Sequence, residues 1–409
     1  HYADDLADYV KKLNPNVAVL MNIKGVYSWN RYWVNAVYHP LYAGHVDIIA
    51  FDTGGYDARL DAKTGALVSQ IRSYKMARDI GASCDAPLND ELLCAQNMAF
   101  AYESPVSGYA GSPWMAARSG TTPMLEFYRH YFKRFYTGNR TVADVAVLRN
   151  WPSMAYSLNA TYTPATLMEQ VLIQHQVPFD LVFDEEFTNL NRYGSVVLAG
   201  QECVSDAQVE QILEYVRQGG TLLLSDNTGD YNQWREKRRK NPFLPARAEG
   251  RGRIVYVGKI QPAEADREKE GAGAGNAEPG ADSKSSPKLA PAQWLLPKNH
   301  QEIYTALTNN LTQELSLVTT APLTTVTELM HHPETRETLI HFVNFDRKHP
   351  LAPFEVSVKK QYPGAVKSVS VYSPDADEPV TIPFTAEGAT IHFTLPGMQI
   401  YSMVVVKMD

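Results

Sequence analysis

The chain has 409 residues, 44% of them hydrophobic and 11% aromatic, which is enough for about three separate cores rather than one. Its net charge of −7, with no basic stripe, argues against a nucleic-acid partner. Three cysteines, an odd number in so long a chain, argue against a disulfide framework, and no run of about 18 apolar residues is present to span a membrane.

His1 falls inside a helical pattern with no methionine before it, so the sequence reads as a cut through a longer protein, with no address that assigns a compartment. In the opening helix Tyr2, Leu6, Tyr9, Val10 and Leu13 share one face. The Asn14-Pro15-Asn16 turn ends it, and VAVLM follows as a buried strand ending at Asn22. A second strand, VDIIAF, ends at Asp52 and enters a Thr-Gly-Gly loop. A helix is expected over about Leu67 to Ile80, then a weak strand GASC ending at Asp85. Asp90 caps the helix ELLCAQNMAFA, and a long amphipathic helix covers Pro123 to Phe135. Strand and helix alternate about every 30 residues, with a polar residue at each strand's C-terminal end. That is the rhythm of a (β/α)8 barrel, whose site lies at those ends, and about four units make it a second half, strands five to eight.

From Ala143 to Asp230 short β-branched runs (VADVAVLRNW, VPFDLVFD, YGSVVLAG, TLLLSD) alternate with helical ones, the signature of a parallel sheet covered on both faces. The helix after Ser205 is the best specified. Ser205 and Gln208 form a capping box, Val209, Ile212, Leu213 and Val216 line one face, and Gly219 supplies the left-handed stop. GRIVYVGKI reads as the last strand of this flavodoxin-like unit. The basic run Arg235 to Lys240 reads as a solvated loop. Residues 261 to 292 carry mostly Gly, Ala, Pro and charge, with no aromatic between Tyr256 and Trp294, the composition of a linker or insertion. From about Leu317 the pattern turns to alternation in TTVTELMHH, TLIHFVNF, FEVSVKK, SVSVYSP, ATIHFTL and YSMVVVKM, a small antiparallel sandwich. His331 and His332 are expected in a turn before Pro333, with no second cluster at metal spacing.

The fold class is therefore α/β: a partial (β/α)8 barrel over residues 1–140, a flavodoxin-type unit over 141–262, a linker over 263–292, and the remainder of the middle unit with a β-sandwich over 293–409. Cys203, between a strand and a helix, sits where class I glutamine amidotransferases place their nucleophile. Its flanks Glu202 and Val204 are too bulky for a nucleophile elbow, and no histidine follows before His300, so it reads as a structural thiol.

The run VVLAGQECVSDAQVEQILEYVRQGGTLLLSD resembles the amidotransferase-like domain that follows the barrel in glycoside hydrolase family 42 β-galactosidases and their relatives. DDLADYVKKLNPNVAVLMNIKG, HVDIIAFDTGGY and LLCAQNMAFAYESPVSGYAGSPW are similar to strand regions five, six and eight of the same barrels. The resemblance implies a retaining glycosidase with two carboxyl groups, an acid/base after strand four and a nucleophile after strand seven. It implies a non-catalytic middle domain serving in trimer assembly, a carbohydrate substrate and no cofactor or metal. Strand four would precede His1, and where the family has a nucleophilic Glu this chain offers Asp85, with Glu103 the other candidate carboxylate. Asn22 and Asp52 at strand ends, with Trp29, Tyr56 and Trp114, are candidate sugar contacts, since ring faces pack on C–H surfaces and polar groups meet hydroxyls. The alternative is a barrel that has lost its catalytic pair and serves as a carbohydrate-binding or structural module.

Overall fold

The computed structural model describes residues 2–23, 38–43, 47–51, 58–81, 83–85, 90–101, 122–157, 160–263 and 294–409. The chain opens with α1 (Tyr2–Leu13) and β1 (Leu20–Ile23), followed by β2 (Ile48–Phe51). The β1 segment is shorter and more open than its apolar run suggests. Val17 and Leu20 are both exposed, and among the described residues β1 is the edge of a three-stranded parallel sheet. The apolar face of α1 is also uncovered, with Leu6 49%, Tyr9 62% and Leu13 71% exposed.

The helix expected from Leu67 begins later. Arg59–Leu60 (β3) and Leu67–Val68 (β4) form an antiparallel hairpin first, closed by backbone N–H groups of Lys63 and Thr64 on the Asp61 carboxylate. Gly65 takes the left-handed φ of +74° that this turn requires. Only then does α2 (Ile71–Asp79) start, leading to β5 (Ser83–Asp85) and α3 (Glu91–Phe100). The Asp90 side chain caps α3 by accepting from the amides of Leu92 and Leu93, as expected. Both helices are buried nearly all round, so the polar residues of α2 must find partners inside the protein.

α4 (Thr122–Phe135) carries an aromatic ladder in which Phe127, Tyr131 and Phe135 meet Tyr372 and Tyr401 of the C-terminal sheets. After it β6 (Arg140–Thr141) pairs with Met330 and His331, so the connection out of the first unit is stitched into the last.

The middle unit contains β7 (Val145–Arg149), α5 (Trp151–Tyr156), α6 (Tyr162–Gln174), β8 (Phe179–Phe183), β9 (Ser195–Ala199), α7 (Asp206–Arg217), β10 (Thr221–Ser225), β11 (Arg247–Glu249) and β12 (Gly252–Tyr256). Five strands are parallel in the order β12-β10-β9-β7-β8, and β11 adds an antiparallel edge. α7 has the full reciprocal capping box of Ser205 and Gln208, with Val209, Ile212, Leu213 and Val216 buried. α8 (His300–Thr308) packs back on α6, where His175 Nε2 lies 2.9 Å from His300 Nδ1 and the His175 ring stacks on Tyr304.

The C-terminal strands form two antiparallel sheets that share an apolar cluster. One sheet holds β13 (Leu317–Thr319), β16 (Phe354–Lys359), β20 (Thr390–Leu395) and β19 (Phe384–Glu387). The other holds β14 (Thr325–His332), β15 (Glu337–Asn344), β17 (Val366–Tyr372), β18 (Val380–Thr381) and β21 (Tyr401–Met408), joined by β6. All six alternating segments read from the sequence are strands. His331 and His332 are not in a turn: they end β14 opposite Thr338 and Glu337, and His331 Nδ1 lies 2.7 Å from the Tyr362 hydroxyl. The eight-residue ladder with β15 carries the strand to His332, immediately before Pro333, so the turn starts at the proline and not ahead of it.

Two predictions follow from the joints. Glu328 of β14 is buried and binds both Lys75 (2.8 Å) and Arg78 of α2, so removing it leaves two cations facing an empty site. Glu328→Leu should lower unfolding stability by about 3–5 kcal/mol, and adding Lys75→Met should restore part of that loss, read by chemical denaturation. The His175 side chain is pushed down to about 4 by burial and, secondarily, by His300. Its folded value lies below the unfolded one of about 6.5, so the neutral pair contributes stability that is complete above pH 6.5 and lost as pH falls through 4. Thermal melts of His175→Gln should therefore show a shallower decline between pH 6.5 and 4 than the unmodified chain; equal slopes would remove this pair as a source of acid lability.

Candidate functional site

The three-stranded parallel sheet brings the C-terminal ends of β1, β2 and β5 side by side. Register places Asn22 opposite Ala50, and Ala50 opposite Asp85, so Asn22 and Asp85 stand in one row flanking the central strand. With strands about 4.8 Å apart, their backbones are about 10 Å from each other. A row of polar strand ends on parallel strands is where barrel and doubly wound folds place ligands. Trp29, Asp52, Tyr56, Glu103 and Trp114 lie outside the described residues, as does the 264–293 part of the expected linker.

A second constellation was not singled out from the sequence. In the middle sheet the strand order reverses between β7 and β9, which creates a crevice at their C-terminal ends. Asp184, just past β8, fills it. Its Oδ1 accepts from Asn150 Nδ2 (2.9 Å) and Gln208 Nε2 (2.6 Å), and its Oδ2 accepts from the Trp151 amide (2.6 Å) and the Tyr38 hydroxyl (3.3 Å). Tyr38 also packs on the Trp151 ring at 4.7 Å. Gln201 accepts from the Asn150 amide, and Gly200 adopts φ +65° where a side chain would run into Pro164. The polar groups at this switch point are thus engaged with one another and with a residue of the first unit. Strand-end Asn150 and Asp184 in VAVLRNW and DLVFD were the signal that could have marked them.

Cys203 belongs to the same edge. It is buried, its amide donates to Ser153 Oγ (2.8 Å), and Ser153 Oγ donates back to the Cys203 carbonyl. Burial, assisted by the Glu202 charge, pushes its thiol up to about 11, which disfavours the thiolate that nucleophilic chemistry needs.

A third group lies deeper. Arg149, at the end of β7, forms two hydrogen bonds of 2.7 Å with Glu169 of α6, and Arg72 of α2 donates to the same carboxylate at 2.9 Å. Arg72 also reaches the Thr166 carbonyl and Gln170, and its guanidinium lies over the Trp294 ring. Among the described residues no group of three or more His, Cys, Asp and Glu is arranged to hold a metal ion, and no helix is long and apolar enough to cross a membrane.

No family model matches the sequence, and no curated protein is similar to it. Solved structures do match, along the whole chain. The α-L-fucosidase isoenzyme 2 from Paenibacillus thiaminolyticus aligns with a TM-score of 0.62 at 16% identity, covering 100% of this chain and 71% of its own. The β-galactosidase from Bacillus circulans sp. alkalophilus gives 0.59 at 12% identity, with 99% and 66% covered. The exo-carrageenase GH42 from Bacteroides ovatus gives 0.55 at 11% identity, with 100% and 55% covered. The fold is that of the glycoside hydrolases around family 42. Within that class the relationship is one of fold, and the chain spans only 55% to 71% of the length of these three structures.

The thiol makes a direct test possible. Iodoacetamide at pH 8 should label Cys203 in the folded chain far more slowly than in the denatured one, followed by peptide mapping, and Cys203→Ala should cost about 1 kcal/mol of stability. Rapid labelling of the native protein would contradict a buried, protonated thiol.

Proposed function

We propose that this chain carries the second half of the catalytic barrel of a glycoside hydrolase acting on β-galactosides or related oligosaccharides, with a non-catalytic amidotransferase-like unit and a β-sandwich behind it. The observation that carries the reading is the row of strand ends that brings Asn22 and Asp85 together within a fold shared along the whole chain with glycoside hydrolases.

In a retaining mechanism one carboxylate attacks the anomeric carbon while a carboxylic acid protonates the departing oxygen. Water, deprotonated by that same second group, then releases the sugar. Asp85 is the proposed nucleophile and Glu103 the other candidate carboxylate. The acid/base is proposed to lie outside these residues, since the resemblance puts it after strand four and the matching structures are longer than this chain. Asn22 and Asp52 are assigned to sugar hydroxyls, and Trp29, Tyr56 and Trp114 to stacking on ring C–H faces. The middle unit is assigned an assembly role in a homo-oligomer, a trimer by resemblance. Asp85, one methylene shorter than the Glu expected there, favours a second reading, a binding module without turnover.

On this proposal, which puts the acid/base outside these residues, the purified 409-residue chain should hydrolyse no aryl galactoside. It should still bind saccharide, and Asp52→Ala should weaken that binding by about 1.5–3 kcal/mol in calorimetric titration against a panel of galactosides. Unaltered affinity with a lowered melting temperature would reduce Asp52 to a loop cap. Hydrolysis by the chain alone, abolished in Asp85→Ala, would place the whole catalytic pair inside it.

A further inference from the structure

The loop between β10 and β11 holds an indole out into solvent on purpose-built backbone. Trp234 is 69% exposed, yet its surroundings are tightly tied. The Asn232 side chain accepts from the amides of Trp234 and Glu236 and donates to the Glu236 carboxylate, while the Asn232 amide donates to the Glu236 carbonyl. Arg235, next to the indole, takes a left-handed φ of +61°, unfavourable for a residue with a side chain, and is held there by donating to the Tyr156 carbonyl at 2.6 Å. Arg238 ties the far side to the Val204 carbonyl and the Asp206 carboxylate. The Arg238 amide closes the loop onto Asp230.

Directly after the indole in sequence come five cations and one acid, Arg235 to Lys240, on a chain whose net charge is −7. Lys237, Arg239 and Lys240 are exposed and form no ion pair among the described residues. The loop is therefore a local positive surface on an acidic protein, and its one large apolar element is the size of a single ring. That is too small for the apolar centre of a stable protein interface, which buries about 800 Å² per partner. It matches a sugar ring, whose C–H face packs on indole while anionic substituents meet neighbouring guanidinium and ammonium groups.

We propose that this loop is a binding surface for an anionic polysaccharide, with Trp234 stacking on a ring and Lys237, Arg239 and Lys240 contacting its sulfate or carboxylate groups. The choice of a glycan over a nucleic-acid strand, which also stacks and carries charge, rests on the glycoside hydrolase reading above. The surface lies on the middle unit, beside a different sheet from the Asn22–Asp85 row, and is proposed to hold a polymer rather than cleave it.

The test is calorimetric titration of the full chain with four probes: a sulfated galactan oligosaccharide, an oligogalacturonate, a neutral galactan of the same length, and single-stranded DNA of matched charge. The proposal expects the sulfated or the carboxylated glycan to bind, and whichever does identifies the anionic group. Trp234→Ala should weaken that binding at least tenfold. The triple variant Lys237→Gln/Arg239→Gln/Lys240→Gln should abolish its salt dependence, with melting temperatures of both variants unchanged. Absence of binding to both anionic glycans overturns the proposal. So does DNA binding of equal strength lost in the same variants, or a smaller sedimenting species in Trp234→Ala with glycan affinity intact, which would make the loop a subunit contact. Loss of neutral galactoside binding by Asp52→Ala is read separately, so the loop and the barrel-face reading stand or fall independently.

Discussion

Glu169 is the residue on which the assembly of this chain depends. Its carboxylate, wholly removed from solvent, receives Arg149 from the end of a middle-unit strand and Arg72 from a first-unit helix. Ionised groups in such a place are tolerated only when their hydrogen bonds are filled, and removing one member of the set leaves the others facing a medium that cannot solvate them. The geometry is consistent with that demand. Arg149 meets Glu169 through two parallel bonds, and Arg72 adds Gln170, the Thr166 carbonyl and the Trp294 ring. The same helix, α2, reaches the sandwich three and six residues further on through Lys75, Arg78 and Glu328. One nine-residue helix thus holds three units in register by charge, where apolar packing alone would allow them to slide.

Hydrogen bonds among polar residues also fill the crevice of the middle sheet. In doubly wound sheets the crevice at the strand-order reversal is the usual ligand position. Here Asp184, Asn150, Gln208 and the Trp151 amide close on one another, and Tyr38 arrives from the first unit to complete them. Tyr38 follows β1 in the chain, so the crevice serves as a docking point for the first unit on the middle sheet. Cys203 on this edge has its thiol held protonated by burial.

Much of this was legible where the sequence repeats itself at a fixed period. The α7 box of Ser205 and Gln208, the Asp90 cap and the six alternating strands each rest on local rules that operate within about four residues. Elements too short to show a period escape such rules: the β3–β4 hairpin has strands of two residues, and the second, Leu67–Val68, falls within the expected helix. Pro333 does follow the end of the strand, but the turn expected at His331 and His332 ahead of it is ladder with β15 instead. The strand ends Asn22 and Asp85 were legible as positions, and their sharing of a row emerged only from the register of three strands. Arg72 and Glu169 stand 97 residues apart, so nothing local announces them beyond the oddity of a charge inside an apolar helix.

The central claim is that the strand-end carboxylate at Asp85 belongs to a retaining glycosidase. A 2-deoxy-2-fluoro-galactosyl fluoride tests it directly, since fluoride departs without a general acid and the slowed second step leaves the sugar attached to the nucleophile. The account predicts, in peptide mass mapping of the treated chain, a fluorosugar ester on the fragment containing Asp85 that is absent in Asp85→Asn. Failure to label any carboxylate of the strand-end face, with saccharide binding intact, would contradict it and leave a binding module.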